Sequence, residues 1–230
     1  MLDQAFEALK TYDWGIDRKV LKPIDDAVVA THGKDEERKQ LEERLTTTLK
    51  SEMSYDAKQF VCRKLMTIGT AASVPALAAL LFDEQLSHMA RYALERIPGP
   101  EAARALTEAM NSLNGKLKIG MISSLGVRQD ATIVPQLGEL LADSDVSVAR
   151  AAAYGLAAIG SSTAASALSG KSADGAKAAV ADAKLTCAEA LLAQGDKKAA
   201  LGIYRSLIAN QPKHVKLAAT RGVLACAGAK

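Results

Sequence analysis

Aromatic residues are scarce in this sequence. They make up 4% of its 230 residues, and alanine and leucine supply much of the hydrophobic fraction of 49%. Aromatic and β-branched residues favour strands, whereas alanine and leucine favour helices. The scarcity of the first group and the abundance of the second argue against a sheet and predict an all-α protein.

Motifs for catalysis and metal binding are missing as well. The sequence has no glycine-rich dinucleotide fingerprint, no phosphate-binding loop and no serine nucleophile elbow. Its three histidines fall in different helical units, and its three cysteines form no C-x-x-C pair. Cys62 and Cys187 lie within apolar helix patterns, which predicts buried thiols. We therefore expect no catalytic residue, no metal site and no cofactor.

The sequence also lacks a long apolar run and a strong charge imbalance. No run approaches the roughly 18–20 residues that span a membrane, and the first ten residues lack the apolar core of a signal peptide. The net charge of +3 is well below that of a dedicated nucleic-acid binder. We expect a soluble protein, either cytoplasmic or an exported domain whose signal peptide is not in this sequence.

What the sequence does contain is a repeated helical hairpin. Its clearest copy covers residues 74–99, where two short amphipathic helices flank a turn. One leucine marks the second helix of each pair, at Leu65, Leu94, Leu125, Leu156, Leu191 and Leu224. A period of 20–50 residues is typical of a solenoid, in which each hairpin buries the apolar face of the next.

Apolar residues also recur at fixed distances from these marker leucines. Four positions before them stand Val61, Ala90, Met121, Ala152 and Cys187, and three positions after them stand Ile68, Ile97 and Ile159. These spacings place the residues on one stripe of a helix. We predict that the stripe, with all six leucines, forms the core between helices.

The pattern predicts a single α-solenoid domain over residues 1–230, built from about six to seven helical hairpins. Residues 1–56 are expected to form an N-terminal helical cap, and residues 57–160 the regular repeats. Residues 161–230 would hold a degenerate unit and a C-terminal cap. The small, polar residues 161–176 predict a shortened first helix, then a loop, then a long helix.

Local signals mark helix boundaries nearer the N-terminus. Pro23 lies inside an otherwise helical pattern, so we expect a kink or a break there. Asp56 precedes the next amphipathic segment, and it is predicted to be the N-cap of that helix.

The two most regular segments, residues 74–99 and 134–160, resemble HEAT repeats of the short bacterial kind that is grouped with phycobilisome-lyase-like repeats. The resemblance depends on a proline near the start of the first helix, on Asp83 and Asp143 at its end, and on an alanine-rich second helix that closes in Ile-Gly. It implies a HEAT/armadillo-type fold, a right-handed α-α superhelix.

In that family a basic residue early in the second helix forms a ladder with the turn aspartates. The equivalent positions, seven before each marker leucine, hold Lys58, Ser87, Lys118, Ala149 and Lys184. Only some of these side chains are basic, so an interrupted ladder is expected.

The last unit is similar to a tetratricopeptide repeat. Ala188, Gly195, Ala200, Tyr204 and Pro212 have the spacing that this motif uses. Both families are stacked helical hairpins, so the architecture implied for the chain is the same.

Basic and aromatic side chains of the second helices are the candidate binding residues, because second helices usually line the concave side of a solenoid. The candidates are Lys58, Arg63, His88, Arg91, Tyr92, Lys118, Arg150, Tyr154 and Lys184. If they converge, they form a positively charged groove. If they alternate with acidic residues instead, their alkyl stems cover the alanine-rich core.

The resemblance implies a non-catalytic, monomeric scaffold that binds a protein or peptide and forms a module of a larger bacterial protein. One alternative is a HEAT-like nucleic-acid-binding protein or DNA glycosylase with a basic concave groove, and another is a chromophore lyase. Base extrusion needs stacking side chains, and the single tryptophan, Trp14, falls in a terminal turn. A protein or peptide partner is therefore favoured over nucleic acid.

Overall fold

A computed structural model describes residues 1–209 and 211–228 of the chain. The described residues contain fourteen α-helices and no β-strand, so the all-α prediction is confirmed. The helices are α1 (Leu2–Lys10), α2 (Lys22–Ala30), α3 (Asp35–Leu49), α4 (Tyr55–Ile68), α5 (Val74–Ala79), α6 (Ser87–Arg96), α7 (Pro100–Ser112), α8 (Gly115–Val127), α9 (Val134–Leu140), α10 (Val146–Ile159), α11 (Ser162–Ala167), α12 (Lys177–Ala193), α13 (Lys197–Ser206) and α14 (Lys213–Cys226).

The helices fall into two compact units, Met1–Leu113 and Asn114–Lys230. In the first unit α4 packs against α6. Within the hairpins, α3 packs on α4 and α5 packs on α6. In the second unit α10 packs between α8 and α12, and α12 packs on α14, while α9 contacts α11 in the other layer. Second helices thus stack on second helices, which confirms the helical-repeat fold.

Five of the six marker leucines occupy the predicted core. Leu65, Leu94, Leu125 and Leu156 are fully buried and Leu191 is 3% exposed. The prediction is wrong for Leu224, which is 52% exposed. The last helix instead buries Val215, Ala219 and Gly222.

Helix α14 is rotated about its axis relative to the orientation that the sequence repeat predicts, and this rotation has a steric cause. Gly222 lies so close to the ring of Tyr204 that a Cβ atom at this position would overlap it. Tyr204 is itself buried, at 2% exposure. Since only a glycine allows this approach, the glycine face of α14 packs inward and Leu224 points away from the core.

Near the N-terminus one boundary prediction is confirmed and one is wrong. The expected break at Pro23 is present, because a 3-10 turn over Arg18–Leu21 precedes α2. Ser54, not Asp56, is the N-cap of α4, and its side chain accepts a backbone N–H from the first turn. Asp56 lies inside that turn, where a carboxylate is stabilised by the helix dipole.

The degenerate segment has the form that the sequence predicts. Helix α11 has only six residues, a loop follows it, and α12 runs for seventeen residues. The short helix carries small side chains, so it leaves space beside α12 that a full-length helix would fill.

Two of the three cysteines are buried as predicted. Burial raises the pKa of the Cys62 thiol to about 12 and that of Cys187 to about 11. Cys226, near the end of α14, is only half-buried.

These positions predict the thiol reactivity of the folded protein. The thiolate is the reactive form, and a raised pKa leaves very little of it at neutral pH. With Ellman's reagent at pH 7.5 we expect one fast-reacting thiol, Cys226, and three after unfolding in guanidinium chloride. Cys226→Ala should remove the fast phase, and fast reaction of Cys62 or Cys187 in that variant would contradict their burial.

Candidate binding surfaces

Exposed aromatic side chains gather around α4 and α6 in the first unit. We call this set the aromatic surface, and it consists of Trp14, Tyr55, Arg63, His88 and Tyr92. Trp14 is 64% exposed and Tyr92 is 49% exposed. A single exposed apolar side chain is normal on a protein surface, whereas a cluster of them is typical of an interaction site.

Contacts across the chain hold the α4 part of this surface in place. The Trp14 backbone N–H donates to Oδ2 of Asp56 at 3.2 Å. The Trp14 ring lies under the guanidinium of Arg63, at 5.9 Å from the ring centroid. The Tyr55 hydroxyl donates to the carbonyl oxygen of Gln85 at 3.4 Å, at the turn before α6. The terminal turn, α4 and the next hairpin are therefore linked.

The α6 part consists of His88 and Tyr92, which lie one turn apart. Their rings meet edge to face, with centroids 6.2 Å apart. Tyr92 and Arg63 both stand two positions before a marker leucine, on helices that pack together. Equivalent positions on these two packed helices therefore hold a half-buried arginine and an exposed aromatic ring.

Arg91 is half-buried, in contrast to its neighbour Tyr92. Burial lowers the pKa of Arg91, and the charge of Glu95 opposes that shift. The equivalent positions of other second helices hold the buried Cys62, Ile122 and Ala153. Arg91 is therefore partly desolvated at a position where other second helices hold core residues, and whether it binds a partner or covers the core stays open.

The ladder position forms one ion pair in the second unit. Nζ of Lys118 lies 3.9 Å from Oδ2 of Asp143, and the two side chains are 18% and 22% exposed. Lys58 holds the same place on α4 and is half-buried. Oδ1 of Asp83 accepts the backbone N–H groups of Gln85 and Leu86, so this aspartate caps its own turn.

Arg150 and Tyr154 lie one turn apart on α10. The Arg150 Nε donates to the carbonyl oxygen of Gly175 at 3.0 Å, and Tyr154 is 54% exposed. They stand six and two positions before Leu156, the same places that His88 and Tyr92 occupy before their own marker leucine. The second unit therefore repeats a basic-aromatic pair.

Lys184 is half-buried on α12 and belongs to neither pair. It lines two cavities between α11 and α13, over the surface of α12. Of the nine candidates, the structure thus groups Arg63, His88 and Tyr92 in one unit, pairs Arg150 with Tyr154 in the other, and places Lys184 in a groove. That all nine bind one partner stays a prediction.

Two residues of the aromatic surface were not among the candidates. Tyr55, Gln59 and Arg63 are spaced by four, so a count along the helix would have placed Tyr55 on the face of Arg63. Trp14 gives no such signal, because Asp56, which holds its backbone, lies 42 residues away.

A cavity of about 650 Å³ beside α3 is lined in part by Arg38, Lys39 and Glu42. Glu42 is 3% exposed, and its carboxylate accepts hydrogen bonds from the Thr70 backbone N–H at 2.6 Å and the Ser73 hydroxyl at 2.5 Å. The carboxylate therefore ties α3 to the start of the next hairpin.

The described residues contain no group of three or more histidine, cysteine, aspartate or glutamate side chains that could hold a metal ion. None of the helices in the same residues is both long enough and apolar enough to span a bilayer.

Comparison with known proteins gives one family match. Residues 103–191 match the model for HEAT repeats. No match was found among curated proteins. An engineered protein from a structural genomics consortium is 19% identical over 100% of this chain and 69% of its own, with a TM-score of 0.43. A designed armadillo repeat protein in complex with a (KR)4 peptide is 16% identical over 98% of each chain, with a TM-score of 0.41. The family match, together with the stacked hairpins, supports a HEAT-repeat module.

Proposed function

We propose that this protein is a non-catalytic scaffold whose aromatic surface binds a protein or peptide partner. The proposal depends on the location of the few aromatic side chains. Five of the nine aromatic side chains are exposed, and Trp14, Tyr55 and Tyr92 belong to one surface. Tryptophan, tyrosine and arginine contribute most of the binding energy in protein interfaces. A stack of hairpins that presents such a surface suits a protein-binding scaffold.

The charges around this surface favour a protein over nucleic acid. Asp56 holds the turn that carries Trp14, and Glu95 lies close enough to Arg91 to act on its pKa. Nucleic-acid binding depends on several cations that neutralise phosphates, and neighbouring carboxylates oppose it by charge repulsion. Arg63, the arginine of the aromatic surface, is half-buried and its guanidinium lies over the Trp14 ring instead.

The proposal is tested by selecting binders from a random dodecapeptide library displayed on phage, with the whole chain immobilised. We expect the selected peptides to lose at least about thirtyfold in affinity toward a Trp14→Ala/Tyr92→Ala double variant, because truncation of even one hot-spot residue costs about 2 kcal/mol. Tyr154→Ala is the matched control, since it removes a tyrosine of similar exposure at the equivalent position of α10. Fluorescence anisotropy measures the affinities.

Three outcomes would count against the proposal. The first is a library that yields no binder, and the second is binders that are insensitive to the double variant. The third is saturable binding of a fluorescein-labelled 20-base-pair duplex that weakens steeply with salt, which would favour the nucleic-acid alternative. Far-UV circular dichroism of each variant confirms that the fold is retained.

A further inference from the structure

The second unit contains a groove that lies between α11 and α13 and has α12 as its floor. One cavity of about 540 Å³ and a second of about 410 Å³ form its two halves. Ser169, Lys184 and Ser206 line both halves, so they mark the middle of the groove. Each of these cavities is within the volume range of binding pockets.

The short helix α11 explains why the groove exists. Its residues facing the groove are Ser162, Ala165 and Ser166. The opposite wall also has a position without a side chain, because Gly202 of α13 lines the same cavity. A Cβ atom there would contact nothing within 4 Å. Small residues on both walls leave the surface of α12 uncovered.

Lys184 holds the position of the basic ladder residue, but the equivalent of its acidic partner is not a carboxylate. Lys118 pairs with Asp143, which lies twenty-five positions further along the chain. Twenty-five positions after Lys184 stands Ala209. Burial lowers the pKa of Lys184, and no charged neighbour contributes to that shift. Lys184 is therefore partly desolvated, and no carboxylate of the described residues forms an ion pair with it as Asp143 does with Lys118.

The serines beside Lys184 offer acceptors. The Ser169 hydroxyl donates to the carbonyl oxygen of Ala165 at 3.4 Å, and the Ser206 hydroxyl donates to that of Ile203 at 2.7 Å. Because each hydroxyl already donates its proton to a backbone carbonyl oxygen, its own oxygen remains free to accept a hydrogen bond from an N–H group of a ligand. A ligand that suits the middle of the groove carries a negative charge for the lysine and N–H donors for the serines.

The remaining charges of the groove favour an anionic ligand. Lys177 and Lys198 line it in addition to Lys184. Lys177 pairs with Asp174 at 2.7 Å, and Asp196 uses Oδ1 to accept the backbone N–H of Ala199 at 3.0 Å. The lining thus has more cations than carboxylates.

We propose that this groove binds an extended, acidic segment of a partner protein, with an aspartate or glutamate of that segment taking the missing ladder position opposite Lys184. The groove extends along α12 from Lys177 to Leu191, which is about 21 Å at the helical rise. An extended chain covers that length with about six residues. Its backbone N–H groups would donate to Ser169 and Ser206.

The test uses terminally blocked, fluorescein-labelled hexapeptides with one aspartate fixed at the third or fourth position and uncharged residues randomised elsewhere. The matched library carries asparagine at the fixed position, so it differs only in the charge. We expect the aspartate library to bind at least about tenfold more tightly, since hydrogen bonds to charged groups are the stronger ones. Lys184→Met should abolish that difference, whereas Lys216→Met, on the exposed side of α14, should keep it.

A second variant closes the groove without touching Lys184. Gly202→Trp places a large side chain in the open space beside α13. We expect this variant to bind the aspartate library at least about tenfold more weakly, while its helicity and melting temperature are retained. Equal binding of the two libraries would overturn the proposal, as would binding that survives Lys184→Met or Gly202→Trp. The groove lies in the other unit from the aromatic surface, so failure of either proposal leaves the other standing.

Discussion

Leu156→Ala is expected to lower the free energy of unfolding by about 2–5 kcal/mol, whereas Leu224→Ala is expected to change it by less than about 0.5 kcal/mol. The two leucines hold the same place in the sequence repeat. Leu156 is fully buried in α10, and Leu224 is 52% exposed on α14. Truncation of the first leaves a cavity, but truncation of the second removes a side chain that is already half in solvent.

Denaturation in guanidinium chloride, followed by far-UV circular dichroism, measures the difference. Both leucines lie in the second unit, so the same cooperative structure reports on both. Equal losses for the two variants would mean that α14 packs in the register of the sequence repeat. In that case the burial of Gly222 against Tyr204 would be wrong.

Gly126→Leu is expected to destabilise the second unit by about 1–3 kcal/mol, because two second helices touch at glycine. A Cβ at Gly126 would lie 3.0 Å from Cα of Gly155 and 3.2 Å from its carbonyl oxygen. These are backbone atoms, and they cannot move aside as a side chain does. The helices α8 and α10 would have to separate.

Gly202→Ala is the matched control for that variant. It also replaces a helical glycine in the second unit, but its Cβ would meet nothing within 4 Å. We expect it to stabilise the protein by about 0.5–1 kcal/mol through helix propensity. Unfolding midpoints measured side by side separate the two effects, and a loss of stability in both variants would place the cause in the glycine itself rather than in the helix contact.

The sequence predicts the repeat well because burial has a period. An apolar stripe that returns every 29 to 35 residues has one physical explanation, a stack of hairpins that cover each other. The same reasoning predicts the burial of Cys62 and Cys187, which the structure confirms. It misplaces Leu224, because the periodic pattern does not register how closely Gly222 approaches Tyr204.

The binding surfaces are less predictable, because they depend on contacts between distant segments. Spacing along the helices from the marker leucines predicts the locations of His88, Tyr92 and Arg63. Trp14 does not, since its place depends on a hydrogen bond to Asp56 across 42 residues. Lys184 is recognisable as a ladder residue, but its groove exists only because α11 is short.

Photo-crosslinking tests the central claim most directly. Benzoylphenylalanine replaces Tyr92 in one variant and Tyr154 in another, and each is irradiated with a peptide selected from the dodecapeptide library. A ligand of the aromatic surface should crosslink from position 92 and not from position 154. Crosslinking from position 154 alone, or equally from both positions, would contradict the claim that the partner binds around α4 and α6.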